Sequence, residues 1–285
     1  MVSPDDRVTR VGDLAFHLRV WSESGHPIVL VHGLASSSHI WDLLAPLLAP
    51  RYQVIAYDQR GHGESDKPDT GYDLPTFVAD LHGIIQSLGL KKPALVGHSW
   101  GGNLVLQYAV THPDAVSHLA LVDGGFIEIQ LRDGMTWDVA EKEMAPPDIS
   151  MPLAAFVERL RTRLGSLYSD EVRDAILGNV WIDQRGVVRP RLTRERHMLL
   201  ARALWEHRPS QLYDRVPCPT LVVAAEPSDL AADPERLRWK RRAVALAEQR
   251  LPRSRIIWMR ETIHDIPLHR PADLASAIAR LIQST

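Results

Sequence analysis

The run Gly97-His98-Ser99-Trp100-Gly101-Gly102 sets a serine between glycines two residues to either side. It follows the apolar segment Ala94 to Val96 and precedes a helical-period segment opening near Asn103. A serine on a sharp strand-to-helix turn must hold a strained backbone. The positions flanking it then have almost no room for side chains, and Gly97 and Gly101 meet that demand. Such a turn lifts the hydroxyl to the edge of a sheet. It also aims the backbone N–H of Trp100, at the positive end of the new helix, toward negative charge forming on a substrate oxygen. The chemistry indicated is nucleophilic attack on a carbonyl. The bland alternative is a Gly/Ser-rich turn that merely connects strand and helix; the strand and helix flanks in this setting favour the nucleophile reading. A serine hydroxyl is a weak nucleophile at neutral pH and needs a base within hydrogen-bond reach, for which the chain offers thirteen histidines.

The elements that must position these groups follow from hydrophobic periodicity. Val8 to Val11 and Leu14 to Trp21, joined by Gly12-Asp13, predict an opening antiparallel hairpin. Ile28 to Val31, Gln53 to Tyr57, Ala94 to Val96 and Leu119 to Val122 predict successive buried strands. Between them Ile40 to Leu48, Leu74 to Leu88 and Asn103 to His112 carry apolar residues at spacings of three and four, the stripe a crossover helix turns to a sheet. From Phe126 to Val216 there are no strong strand runs. Helical patches such as Phe156 to Leu164 and Arg194 to Trp205 are broken by Pro146-Pro147, Pro152 and Pro209, which predicts a helical insertion. Its Trp137, Trp181, Trp205, Met135, Met144, Met151 and Phe156 suit either a small core, the better reading for most of them, or the roof of a pocket. The strand rhythm then resumes with Thr220 to Ala225, a helix over Glu235 to Arg250, a strand over Arg255 to Met259 and a last helix over Ala272 to Gln283.

With the serine turn in this setting, the chain resembles the α/β-hydrolase superfamily over nearly its whole length. Val29-Leu30-Val31-His32-Gly33-Leu34 is similar to the family's strand and His-Gly turn, and the resemblance assigns a second oxyanion-binding N–H to Leu34 beside that of Trp100. Asp58-Gln59-Arg60-Gly61-His62-Gly63-Glu64-Ser65-Asp66 resembles the family's D-x-R-G-x-G-x-S loop, which implies a structural role for Asp58 and Arg60. The resemblance implies a mostly parallel eight-stranded sheet with helices on both faces and a helical cap inserted after the sixth strand. Residues 1–125 and 217–285 would form the core domain and residues 126–216 the cap.

The same resemblance names His264 as the base. It lies after the last strand and seven residues before the helix-initiating Pro271, although Ile263 stands where many relatives have glycine. His269 is its structural competitor, while His98 and His32 are expected to brace their turns. For the acid that orients the histidine, the family offers two places. Asp123, in Leu121-Val122-Asp123-Gly124-Gly125, stands at the end of the strand after the nucleophile's helix and is preferred. Asp229, in Ala225-Glu226-Pro227-Ser228-Asp229, is the alternative, and Glu226 comes third.

The function implied is acyl transfer through a covalent serine intermediate, with carboxylic ester hydrolysis on small-to-medium apolar substrates foremost. Lactonase, thioesterase and carbon–carbon bond hydrolysis are neighbours, as are perhydrolysis and a slow-turnover ligand-binding receptor of the same fold. Serine at 99 disfavours epoxide opening and dehalogenation, which require a carboxylate nucleophile. Composition agrees with a compact globular chain: 285 residues, 45% hydrophobic and 24% charged. The net charge of −2 offers no broad field for nucleic acid or anionic membrane. The basic run Arg236 to Arg242 is read as the solvated face of an amphipathic helix. The lone Cys218 is expected to pack as a small hydrophobe, and no metal or nucleotide motif is present, so neither cofactor nor metal is expected. With no apolar window of spanning length and no leader-like start, the expected setting is the cytoplasm and the expected partner a small-molecule substrate. No oligomeric state is implied.

Overall fold

In the computed structural model, which describes residues 2–227 and 233–284, the chain opens with the expected hairpin. Strands β1 (Asp5–Val11) and β2 (Leu14–Ser22) pair antiparallel around Gly12. There follow β3 (His26–Val31), α1 (Ala45–Leu48), β4 (Tyr52–Tyr57), α2 (Leu74–Ser87), β5 (Ala94–His98), α3 (Trp100–Thr111) and β6 (Leu119–Val122). The next stretch holds α4 (Trp137–Met144), β7 (Met151–Pro152), α5 (Leu153–Leu164), α6 (Asp170–Leu177), β8 (Val180–Ile182), β9 (Val187–Pro190) and α7 (Arg194–Glu206). The chain closes with β10 (Thr220–Glu226), α8 (Pro234–Arg250), β11 (Ser254–Arg260), α9 (Ile266–His269) and α10 (Pro271–Gln283).

Eight strands form one sheet in the order β1-β2-β4-β3-β5-β6-β10-β11. Only the β1–β2 and β2–β4 pairings are antiparallel. Alternate residues of each buried strand enter opposite apolar layers, as a period of two demands. Val29 and Val31, Leu119 and Leu121, and Val222 and Ala224 pack with α2, α3 and α8, while Ile28 and Leu30, Ala120 and Val122, and Leu221 and Val223 pack with α1 and α10. Two-sided burial explains why these segments are continuous apolar runs. Strand β3 neighbours both β4 and β5, so the chain order reverses there, and the crevice at the strands' C-terminal ends at such a reversal is where α/β sheets hold their ligands.

Two expectations need correction. The predicted helix Ile40 to Leu48 is split into a 3₁₀ turn, Ser38–Trp41, and the short α1. Pro46 lacks the N–H a continuous helix would need and is accommodated in the first turn of α1 instead. The stretch 126–216, with helical patches and no strong strand runs in sequence, also contains a three-stranded antiparallel sheet in the order β7-β9-β8. Asp183 turns β8 into β9 by accepting hydrogen bonds from the N–H groups of Arg185 and Val187, both at 2.9 Å. Strands of two to four residues are too short for alternation to register.

The packing of α3 against the sheet yields a prediction. A Cβ on Gly101 would meet the carbonyl oxygens of Val31 and His32 at 2.3 and 2.5 Å, backbone atoms fixed in or next to β3. Gly101→Ala should lower unfolding free energy by about 1–3 kcal/mol or more in urea titration. Gly89→Asn, at a φ of +62° with open space around it, should cost well under about 1 kcal/mol. Equal costs would show that α3 does not press on β3 as described.

Candidate active site

Ser99 has φ 55° and ψ −122°, a strained conformation held by its surroundings. Its N–H donates to the Val122 carbonyl at 2.9 Å, and its own carbonyl accepts from the Gly102 N–H at 2.9 Å. Glycines hem it in: a Cβ on Gly33 would lie 3.0 Å from the Ser99 Cβ, and one on Gly124 would lie 2.2 Å from the Ser99 carbonyl oxygen. The His-Gly turn carrying Leu34 is therefore pressed against the serine turn carrying Trp100. Gln59 ties the two together. Its side-chain amide donates to the His32 carbonyl at 2.6 Å, its backbone N–H donates to His32 Nε2 at 3.0 Å, and its Oε1 accepts from the Trp100 indole at 3.0 Å. Neighbouring Asp58 and Arg60 make internal bonds: Asp58 accepts from the N–H groups of Ser38 and Glu64 and contacts the His17 ring, and Arg60 forms a bidentate pair with Asp80.

Asp123, at the end of β6, brings the histidine loop to this edge. Its carboxylate lies 2.6 Å from Nδ1 of His264, and its Oδ1 accepts from the Ala225 N–H at 2.9 Å. Of the other two acids weighed, Glu226 ion-pairs with Arg241 at 2.8 Å, and Asp229 lies outside the described residues. The competitor His269 instead accepts from the Ile263 N–H at 3.2 Å, so it shapes the loop that presents His264. His98 likewise braces that loop, donating from Nε2 to the His264 carbonyl at 3.0 Å, with the two rings 4.7 Å apart.

Lys240 is the residue that sequence reasoning missed. Its Nζ lies 2.7 Å from Oδ1 and 2.9 Å from Oδ2 of Asp123, and both side chains are buried. The run Arg236 to Arg242 is therefore a solvated face at Arg236, Arg238, Arg241 and Arg242 but not at Lys240. The signal was present in the spacing, because Lys240 precedes Ala243, Val244 and Ala247 by three, four and seven residues and shares their buried stripe.

Electrostatics at the site follow from this geometry. Burial pushes the Asp123 carboxyl up, but the hydrogen bonds and charges of His264 and Lys240 outweigh it and hold the group at about 2. Burial alone would lower His264, while the bond and charge of Asp123 bring it to a net rise above its ordinary value of 6.5, with Lys240 opposing. Burial and the neighbouring His264 push His98 down to about 4, so it stays neutral.

One cluster among the described residues has cation-ligand geometry: His98, His264 and Asp265 each bring a donor atom within 4.8 Å of the others. The hydrogen bonds already made by His264 Nδ1 and His98 Nε2 would compete with an ion there.

A cavity of about 330 Å³ opens beside the site. Leu34 and Asp265, next in sequence to Gly33 and His264, are part of its wall, together with Phe156 and Leu160 of α5. The other aromatic and methionine residues considered as a roof do not line it. Trp137 packs on Trp205 at 6.0 Å, Met135 and Met144 pack against the main core, Met151 joins a satellite cluster, and Trp181 is 47% exposed. Cys218 is buried, as expected of a small hydrophobe, with its thiol pushed up to about 11 by burial. No helix among the described residues is long and apolar enough to cross a membrane.

Residues 26–226 match the family described as alpha/beta hydrolase fold. The chain is 39% identical over 104 residues to the soluble epoxide hydrolase of a Corynebacterium species, covering 36% of each protein. It is 34% identical over 137 residues to the 2-(acetamidomethylene)succinate hydrolase of Mesorhizobium japonicum, covering 47% of this chain and 49% of that protein. The matches thus span a third to a half of these curated relatives. A crystal structure of E-2-(acetamidomethylene)succinate hydrolase superposes with a TM-score of 0.80 at 25% identity, over 99% of this chain and 100% of the other.

The network around Asp123 can be read through the rate at which a fluorophosphonate labels Ser99. Asp123→Asn should slow labelling by about three to four orders of magnitude, and Glu226→Gln should leave it nearly unchanged. With a neutral imidazole acting as the base, the rate would rise with pH through a midpoint above 6.5. Lys240→Met removes the charge that lowers His264, so the midpoint should move further up, while loss of the buried pair destabilises the fold by about 3–5 kcal/mol. A midpoint unmoved by Lys240→Met would show that the lysine is electrostatically silent toward His264.

Proposed function

The chain belongs to the alpha/beta hydrolase fold family, and on that premise we propose that it is a serine hydrolase working through an acyl-enzyme, with compact carboxylic esters as its simplest substrates. The observation that carries this reading is the Asp123–His264 hydrogen bond of 2.6 Å at the same sheet edge as the strained Ser99 turn. In this reading Ser99 attacks the carbonyl carbon and His264 Nε2 takes the hydroxyl proton. Asp123 holds Nδ1 protonated and stabilises the imidazolium. The carbonyl oxygen becomes an oxyanion facing the N–H groups of Leu34 and Trp100, the latter at the positive end of α3. Collapse of the tetrahedral intermediate expels the alcohol, protonated by His264. Water, deprotonated by the same imidazole, then releases the acid.

The cleft-side volume of about 330 Å³ favours a compact acyl or alcohol group, since pockets for larger ligands run well above it. That the relatives named above are called hydrolases agrees with hydrolysis as such, while epoxide opening, the reaction in the name of one of them, is disfavoured by serine at 99. Residues 1–125 and 217–285 act in this reading as the catalytic core and residues 126–216 as a cap over it, with no cofactor required and a small molecule as the partner.

The test is steady-state turnover of p-nitrophenyl esters from acetate to octanoate, with Ser99→Ala alongside. The expected result is many turnovers per chain, highest on short acyl groups, falling by about 10⁴ or more in Ser99→Ala. Release that stops at one equivalent of nitrophenol would favour a receptor of this fold, and activity surviving in Ser99→Ala would remove the nucleophile.

A further inference from the structure

The cavity beside Ser99 carries a charge that its apolar walls do not explain. Arg159, Arg163 and Arg191 line it, against a single carboxylate, Asp265. On α5, Phe156, Arg159, Leu160 and Arg163 fall at spacings of three, four and seven and so share one face, which is the face that lines the cavity. Both arginines are exposed, as Glu158 and Arg161 are, so they stand at the solvent-facing margin of the cavity beside the buried Phe156 and Leu160. Arg191 is already engaged, with Glu64 at 2.7 Å and the Val180 carbonyl at 3.0 Å. Arg159 and Arg163 have no hydrogen-bond or ion-pair partner among the described residues.

A second observation points the same way. His62 is 1% exposed and lines the cavity. Its Nδ1 donates to the Arg60 carbonyl at 3.0 Å, and its Nε2 is buried without a partner. Oγ of Ser36, also on the cavity wall, is buried and unpartnered too. Buried polar atoms without partners cost about 1–3 kcal/mol each, and a ligand bearing matching groups removes that cost. With Nδ1 protonated, His62 Nε2 is an acceptor, so it suits a ligand N–H or O–H, while Ser36 can donate or accept.

We infer that this cavity binds a small carboxylate-bearing substrate, with the charge paired to Arg159 and Arg163 and an N–H or O–H reaching His62. The guanidinium fork matches a carboxylate bidentately. The inference deepens the hydrolase reading, on which it rests for the position of the reacting carbonyl: that carbonyl faces Leu34 and Ser99, and the carboxylate sits away from the scissile bond, toward α5. The substrate is therefore an anionic acyl compound with a second polar group and not the plain apolar ester expected from the tryptophans and methionines.

The experiment is calorimetric titration of the full chain with glutarate, its uncharged counterpart glutaramide, and inorganic phosphate, with succinate and adipate to vary length. Glutarate or a neighbour in length should bind at least tenfold more tightly than the diamide. Arg159→Gln/Arg163→Gln should weaken dicarboxylate binding at least tenfold, and Arg159→Lys/Arg163→Lys should recover part of the loss. Thermal unfolding checks that both variants are folded, and the acid-to-amide ratio in the unaltered chain decides the question even where a variant fails to fold. Equal binding of acid and amide, dicarboxylate binding indifferent to the arginines, binding of phosphate alone, or no binding at any length would each overturn the inference. Fluorophosphonate labelling of Ser99 reads the hydrolase reading separately: arginine-dependent dicarboxylate binding without labelling would leave the anion site standing and remove the nucleophile.

Discussion

A carboxylate that is 3% exposed must be compensated or it will take up a proton, and the compensation of Asp123 organises one whole side of this molecule. Its partners come from three other segments: Lys240 from α8, the Ala225 N–H from β10, and His264 from the loop after β11. A single buried charge thereby sets the register of α8 over the sheet and the position of the imidazole. The lysine keeps the carboxylate ionised without drawing on the histidine, so His264 is left free to gain and lose its proton while its acceptor stays charged. The sign follows: the stabilisation Asp123 contributes is complete above its ordinary pKa of 3.8 and is lost as pH falls through about 2.

The other side of the site depends on close approach instead of charge. Glycines at 97, 101 and 124 leave space that backbone atoms already fill, and Gly33 leaves space for the Ser99 Cβ, which lets two turns from different strands meet at the Ser99 side chain. Gln59 then locks those turns through the ring and carbonyl of His32 and the indole of Trp100. Two turns from separate strands are thus held in a fixed relation beside Ser99.

Most strands and long helices were legible because each long buried segment carries its period through enough residues to be counted. The serine turn was legible because glycine at fixed offsets has a steric cause. Short elements such as β7, β8 and β9 were not, since two to four residues carry no period. The choice among Asp123, Asp229 and Glu226 was open in sequence because both loop positions lie at strand ends that converge, and only coordinates show which carboxylate meets the imidazole. Lys240 was misread with its basic neighbours: composition suggested a solvated run, while the helical stripe shared with Ala243, Val244 and Ala247 marked it as inward. Arg159 and Arg163 are exposed residues of a polar helix with no pattern that marks a cavity, whereas of the insertion's aromatic and methionine candidates only Phe156 lines it.

The central claim, that a buried anion at 123 governs the proton affinity of His264, is tested most directly by NMR titration of histidine-labelled protein, with the His264 signals assigned by their loss in His264→Gln. The account predicts an imidazole midpoint above 6.5 in the unaltered chain and a marked fall in Asp123→Asn/Lys240→Met, where the charge pair is replaced without leaving either partner alone. The same midpoint in both proteins would contradict it.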